Sequence, residues 1–339
     1  METTRREGPG LLTRREAVGL MGGAVAVTAA MLSGVRPAFG ATRNIGSKIK
    51  TLMWPASVTP CDKNRKFDSA AFVDILQWFK HNGADGVVVL GTTGEFPSFS
   101  VAERRLVAET ALKNKLGMNI IINPGTPNLP ETLELARHAA EHGADGLLVI
   151  PPFYYNNPPV EGLTQYYSAL FDEVHIPINL YHIPRTSGVP ISTQLLKNLM
   201  HYPNLAGIKD SDGNMPEYEA FVADFPELNM RTGTLSKLEY ALDHGMGAIL
   251  MEGNLFCKQL SEVFAAYHAG KDYHAPLAKM RAAEALLREG GVYSYGPMKY
   301  ALSLQMGVPQ TYQRPPFVDV TDAQKAAIKA GLAKMKEMS

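Results

Sequence analysis

At 339 residues and 45% hydrophobic composition, the chain is long enough to bury one large core of barrel size. Its 33 Lys and Arg balance 33 Asp and Glu, so no global field favours nucleic acid or an acidic membrane surface, and a small-molecule ligand is the better expectation. Beyond residue 45 no apolar run is long enough to span a bilayer, and two cysteines, Cys61 and Cys257, make no disulfide framework.

The amino terminus stands apart. "LLTRREAVGLMGGAVAVTAAMLSGVRPAFGA" sets Arg14 and Arg15 ahead of a mildly apolar stretch from Val18 to Val35, closing on the small residues Ala38 and Gly40. This is the layout of a twin-arginine export signal, an address rather than a fold element. Residues 1–41 are therefore expected to be cleaved, leaving a periplasmic or extracellular protein with no stable membrane insertion. An uncleaved anchor and an unexported amphipathic leader are the alternatives. No cysteine lies near the cleavage point to carry a lipid.

From residue 47 on, short apolar runs alternate with helical patterns. The runs are 52–60, 86–91, 119–125, 146–152, 176–184, 205–211, 228–233 and 247–253, nearly continuous in Val, Ile and Leu, as strands buried on both faces should be. Between the first two, Phe72, Ile75, Leu76 and Phe79 form one helical stripe that stops at Gly83. After the second, Ser100 and Glu103 spell a capping box. "HNGADGVVVL" at 81 returns as "EHGADGLLVI" at 141 and, more weakly, as "DHGMGAILM" at 243, so one helix-to-strand joint is reused. Eight such units predict an α/β fold, a (β/α)8 TIM barrel with its core at 47–257. From 258 to 339 the pattern is helical, giving the last barrel helix and a carboxy-terminal helical extension. The alternative, an open doubly wound sheet, calls for a glycine-rich fingerprint that the sequence lacks.

In such a barrel, chemistry gathers at the carboxyl ends of the strands. "GTTGE" (91–95), "PPFYYNNP" (151–158), "YHIPRTSG" (181–188) and Lys209 in "LAGIKDSDGN" fall there, offering hydroxyls and one amine but no cluster of metal ligands. An unperturbed lysine has a pKa of about 10.4 and is protonated, hence inert as a nucleophile. Partial burial disfavours the charged form and leaves an amine able to add to a ketone; the resulting iminium is an electron sink for breaking or making the adjacent bond. The alternative is a strand-end lysine snorkelling to solvent. The glycine-flanked threonines can hold a small carboxylate, and Tyr181 can move protons, though threonines also cap helices and buried tyrosines also merely pack.

In this order and spacing, "GTTGE", "FYYNNP", "YHIPRTSG" and "GIKDSDGN" resemble the dihydrodipicolinate synthase / N-acetylneuraminate lyase family, from about residue 47 to the carboxy terminus. The resemblance implies a lysine-dependent aldolase or lyase acting on pyruvate or another 2-oxo acid, with no cofactor. It assigns the Schiff base to Lys209, proton transfer to Tyr181, a hydroxyl relay to Thr92, and substrate binding to Thr93, Gly91, Gly94 and Ile249. It also implies that Tyr155 completes the relay of a neighbouring subunit, within a dimer of dimers. Two departures bear on the second substrate. Where the lysine-pathway synthases carry an arginine, this chain has Thr186, with Arg185 one residue early, so its side chain is expected to point elsewhere unless a local shift rescues it; where the sialic-acid lyases carry an acidic pair, it has Leu235 and Ser236. Glu252, after strand eight, is either a site-facing carboxylate or half of a structural ion pair. The preferred reading is an aldolase or dehydratase for another 2-oxo acid, a sugar acid among them. The alternatives are 4-hydroxy-tetrahydrodipicolinate synthase itself and a non-enzymatic 2-oxo acid binding protein.

Two weaker signals complete the pass. "HAAEH" (138–142) has zinc-protease spacing but sits at the end of a peripheral helix, where its histidines are expected to face solvent. Cys61 and Cys257 follow neighbouring barrel strands, so a disulfide is conceivable, with two free buried thiols the preferred reading.

Overall fold

A computed structural model describes residues 52–338. The proposed export leader, residues 1–41, lies outside the described residues. The strands are β1 (Met53–Pro55), β2 (Gly86–Val89), β3 (Asn119–Ile122), β4 (Gly146–Val149), β5 (Ile178–His182), β6 (Leu205–Asp210), β7 (Asn229–Thr232) and β8 (Ala248–Leu250). The helices that follow the first four strands are α1 (Ser69–His81), α2 (Val101–Lys113), α3 (Leu129–Glu141) and α4 (Val160–Glu173). After β5 come the single turn α5 (Pro184–Ser187) and α6 (Thr193–Leu199), then α7 (Met215–Asp224) and α8 (Leu238–Asp243). The chain ends in α9 (Gly253–His268), α10 (His274–Leu287), α11 (Tyr295–Met306) and α12 (Asp322–Glu337).

All pairings are parallel, in the order β1-β8-β7-β6-β5-β4-β3-β2. The remaining seam closes where Ala56 bridges Val88 and the Ser57 amide donates to the Val88 carbonyl at 2.9 Å. The fold is the expected (β/α)8 barrel with a carboxy-terminal helical extension. The strands are shorter than the apolar runs that announce them, because the flanking residues leave the ladder to form turns at the two mouths.

The reused joint has one physical basis. Gly83, Gly143 and Gly245 each adopt positive φ (+85°, +82° and +71°), the left-handed turn that ends a helix and swings the chain into the next strand. Phe72, Ile75, Leu76 and Phe79 are all buried against the barrel, and the Ser100–Glu103 capping box opens α2 as its sequence predicts.

The last barrel helix begins at Gly253 rather than near 258. A side chain at Gly253 would press on Pro55 of β1, with Cα only 2.9 Å from the added Cβ, so glycine lets α9 start directly at the barrel mouth. The extension then folds back over the strand ends. Buried Lys299 of α11 pairs with Glu95 and donates to the Tyr312 carbonyl at 2.9 Å, while the Arg314 amide caps the other Glu95 oxygen at 2.9 Å. Tyr295 Oη donates to the Thr92 carbonyl at 3.2 Å. The turn that carries the two threonines is thus clasped by residues two hundred positions downstream. Cys61 and Cys257 are free and buried: Cys61 pairs through its backbone with Tyr312, and Cys257 Sγ lies against the Phe79 carbonyl at 3.8 Å. Among the described residues no helix is long and apolar enough to cross a membrane.

Candidate active site

Tyr181 and Lys209 are register partners on the adjacent parallel strands β5 and β6, so their side chains leave the sheet on the same side. Lys209 Nζ donates to Tyr181 Oη at 3.3 Å, and Tyr181 Oη shares a hydrogen bond with Thr92 Oγ1, also 3.3 Å. Lys209 is 4% exposed and Tyr181 2%, so the lysine does not snorkel to solvent. Burial alone would push the Tyr181 phenol up, but the Lys209 charge and hydrogen bonds with Thr92, Ser211 and Lys209 outweigh it and hold its pKa below the ordinary value. A phenol so placed gives up its proton more readily than one in water, as the acid of a proton shuttle must.

Space for the amine is made by Gly233, just past β7. A methyl group there would sit 2.0 Å from Ser211 Oγ and 2.9 Å from Lys209 Cε. Glycine is therefore a condition of the site.

In the "GTTGE" turn the Gly94 and Glu95 amides close onto the Gly91 and Thr92 carbonyls at 3.0 and 2.9 Å. That turn delivers Thr92 and Thr93 to a cavity of about 490 Å³ that also opens onto Tyr181, Lys209 and Ser211. Of the four residues that the family resemblance associates with substrate binding, Thr93 lines this cavity. Gly91 and Gly94 do not; they shape the turn, and a Cβ at Gly94 would come within 3.0 Å of Thr59 Oγ1. Ile249 is buried in β8, paired with Trp54 of β1, and does not line the cavity either.

Part of the lining is acidic. Glu252 lines the cavity, and its Oε2 is buried with no hydrogen-bond partner. Burial pushes its carboxyl up to about 7, with the Glu284 charge adding to the rise and the Lys209 charge opposing it. Glu284, from α10, accepts from Tyr293 Oη at 2.6 Å and from Arg288 Nη2 at 3.1 Å. Thr234 and Ser236 add hydroxyls. Gly233, Glu284 and Tyr293 were not singled out by motif reading. The first is visible in sequence only as a glycine after a strand, and the other two lie in a helical extension with no local signature of chemistry.

Other expected residues fall elsewhere. Arg185 is 80% exposed at its side chain, held at 3.4 Å by Asp212, and does not line the cavity. Tyr155, between β4 and α4, is 72% exposed and outside the cavity, its ring edge-on to exposed Tyr154. The "HAAEH" histidines do not both face solvent. His138 is 4% exposed, with Nε2 3.1 Å from Glu109 of α2, while His142 is exposed and its Nδ1 lies 2.8 Å from the His138 carbonyl. The neighbouring helix α2 covers the first histidine, which helical spacing alone does not reveal. The cluster lies just ahead of the amino end of β4, and none of its residues lines the cavity at the carboxyl ends of the strands.

A (β/α)8 barrel with a buried lysine, a phenol and a threonine hydroxyl in line at its carboxyl mouth has the architecture of the lysine-centred lyases. The chain belongs to the dihydrodipicolinate synthetase family, whose family model matches residues 48–335. It is 34% identical over 260 residues to an uncharacterised DapA-like lyase of Chloroflexus aurantiacus, covering 75% of this chain and 86% of that one. It is also 34% identical over 284 residues to 4-hydroxy-tetrahydrodipicolinate synthase of Bradyrhizobium diazoefficiens, covering 82% and 94%. Among solved structures, it superimposes with a TM-score of 0.76 and 27% identity on the chloride-inhibited dihydrodipicolinate synthase of Acinetobacter baumannii complexed with pyruvate, over 85% of this chain and 99% of that one.

Proposed function

We propose that the protein is a Schiff-base-forming aldolase or lyase acting on pyruvate or a related 2-oxo acid. The observation that carries this reading is the line Lys209 Nζ, Tyr181 Oη, Thr92 Oγ1 inside one cavity. The Lys209 amine, once it has given up its proton, adds to the keto carbon, and the carbinolamine loses water to give an iminium. Proton transfers to and from the carbinolamine oxygen run through Tyr181, with Thr92 as the next hydroxyl. Thr93 and the Thr92 and Thr93 amides would bind the 2-oxo acid's carboxylate, the Gly94 and Glu95 amides being already used within the turn. The iminium then accepts the electron pair of the adjacent carbon, so that a carbon–carbon or carbon–oxygen bond one atom further on breaks or forms.

The names of the relatives favour 4-hydroxy-tetrahydrodipicolinate synthase as the second reading. The outward-facing Arg185 supports it poorly, because no guanidinium reaches the cavity. A barrel that only binds 2-oxo acids would have no use for the ordered proton relay. Borohydride reduction with pyruvate is the test: a covalent mass increase on the wild type, absent in Lys209→Ala, supports the proposal, and no adduct with any 2-oxo acid refutes it.

We further read residues 1–41 as a twin-arginine address that exports the folded enzyme, to be tested by cell fractionation of the wild type against a variant with Arg14 and Arg15 both replaced by lysine. Exposed Tyr154 and Tyr155 support a dimer in which Tyr155 enters the partner's relay, the repeating unit of a dimer of dimers. Sedimentation of Tyr155→Ala, with turnover measured alongside, tests that arrangement.

A further inference from the structure

The cavity is lined by two chemically unlike sets of groups. Beside Lys209, Tyr181 and the paired threonines stand Glu252 and Glu284, near enough for their charges to interact, with the hydroxyls of Thr234, Ser236 and Tyr293. Among the described residues that line it, Lys209 is the only cation. Arg185 turns away to Asp212, and Arg288, which touches Glu284, has an exposed side chain and does not line the cavity. Glu284 is fixed by two donors, whereas Glu252 Oε2 is buried without one. An unpartnered buried oxygen of this kind is costly, and a ligand hydroxyl would relieve it.

We propose that this acidic wall is the subsite for the part of the substrate beyond the keto acid, and that it selects an uncharged, hydroxyl-bearing chain while rejecting one that ends in a second carboxylate. The inference rests on the Schiff-base reading above. A ligand hydroxyl can donate to the unpartnered Glu252 Oε2, and also to Tyr293 Oη and Ser236 Oγ, whose own protons go to Glu284 and Thr234, so a polyhydroxy aldehyde finds several partners on this wall. A second carboxylate would instead face two acidic side chains with no guanidinium or ammonium to answer it, and like charges juxtaposed in a confined site discriminate strongly. Glu252 suits the task for a further reason. Held at about 7, its carboxyl both accepts and donates near neutrality, matching either orientation of a ligand hydroxyl. The cavity volume is that of a small-ligand site, with room for such a chain beside the keto acid.

The experiment follows pyruvate consumption by the full-length mature enzyme with D-glyceraldehyde and D-erythrose as neutral hydroxylated acceptors, succinic semialdehyde and glyoxylate as anionic ones, and aminoacetaldehyde as a cationic one. The expected result is a kcat/KM at least ~10-fold higher for the neutral hydroxylated aldehydes than for the anionic ones. Glu252→Ala and Glu284→Gln should raise the KM for D-erythrose by a similar ~10-fold, with borohydride trapping of pyruvate retained. Glu284→Arg should shift the preference toward succinic semialdehyde. A wild type that prefers an anionic or cationic acceptor, or variants whose preference matches the wild type, would overturn the inference. Absence of the pyruvate adduct in the wild type is read separately, and sinks the Schiff-base reading beneath it.

Discussion

Replacing Glu252 by glutamine gives the most quantitative check on the acidic wall. The carboxyl, ordinarily near 4.5, is held at about 7 by burial. Each pH unit between the folded and unfolded values is worth about 1.4 kcal/mol, so ionising Glu252 in the folded protein costs about 3 kcal/mol more than in the unfolded chain. Between pH 4.5 and 7 the folded state keeps a proton that the unfolded state has released. Stability is therefore fully present below the lower value and declines as pH rises, with the whole penalty in force above the upper one. Glutamine has the same shape and never ionises. Glu252→Gln is expected to match the wild type near pH 4.5 and to exceed it by about 3 kcal/mol at pH 8, on the order of 5 °C in Tm for a chain this long. Urea and thermal unfolding at both pH values measure the difference. A variant no more stable than the wild type at pH 8, or equally stabilised at both, would refute the reasoning, because the ionised carboxylate would then be finding solvent or a counter-charge that the geometry does not provide.

Tyr181→Phe should form the pyruvate adduct more slowly, because dehydration of the carbinolamine loses its acid, and turnover should drop by ~10²- to 10⁴-fold, the usual span for losing a general acid–base; adduct formation and turnover at the wild-type rate would remove Tyr181 from the relay. Gly233→Ala places a methyl group 2.9 Å from Lys209 Cε, so the amine must move, and a displacement of about 1 Å should slow adduct formation by ~10²-fold with the circular dichroism spectrum unchanged. Trapping at the wild-type rate would show that the lysine stem has slack. Lys299→Met leaves Glu95 buried without its cation and should cost about 3–5 kcal/mol in urea unfolding, with part regained in a Lys299→Met/Glu95→Leu double variant. No loss in the single variant would mean that the clasp between extension and barrel contributes little.

The barrel, and the place of Lys209 at the end of one of its strands, are legible in local chemistry. Strands buried on both faces write themselves as apolar runs such as "GVVV" and "NIII", and the positive-φ joints at Gly83, Gly143 and Gly245 demand glycine, so repeat and topology are readable from local chemistry. Lys209 stood out because a lysine closing an apolar strand is costly without a purpose. The tertiary structure alone decided what surrounds that lysine. Periodicity says which face of a helix is buried but not which distant segment buries it. Glu284 and Tyr293 therefore reach the cavity and His138 is covered by Glu109 without any local sign of these outcomes, whereas Arg185 turns away as its place one residue early implies. The need for glycine at 233 likewise appears only once β6 and β7 lie side by side and the Lys209 stem passes within van der Waals reach of the bare backbone.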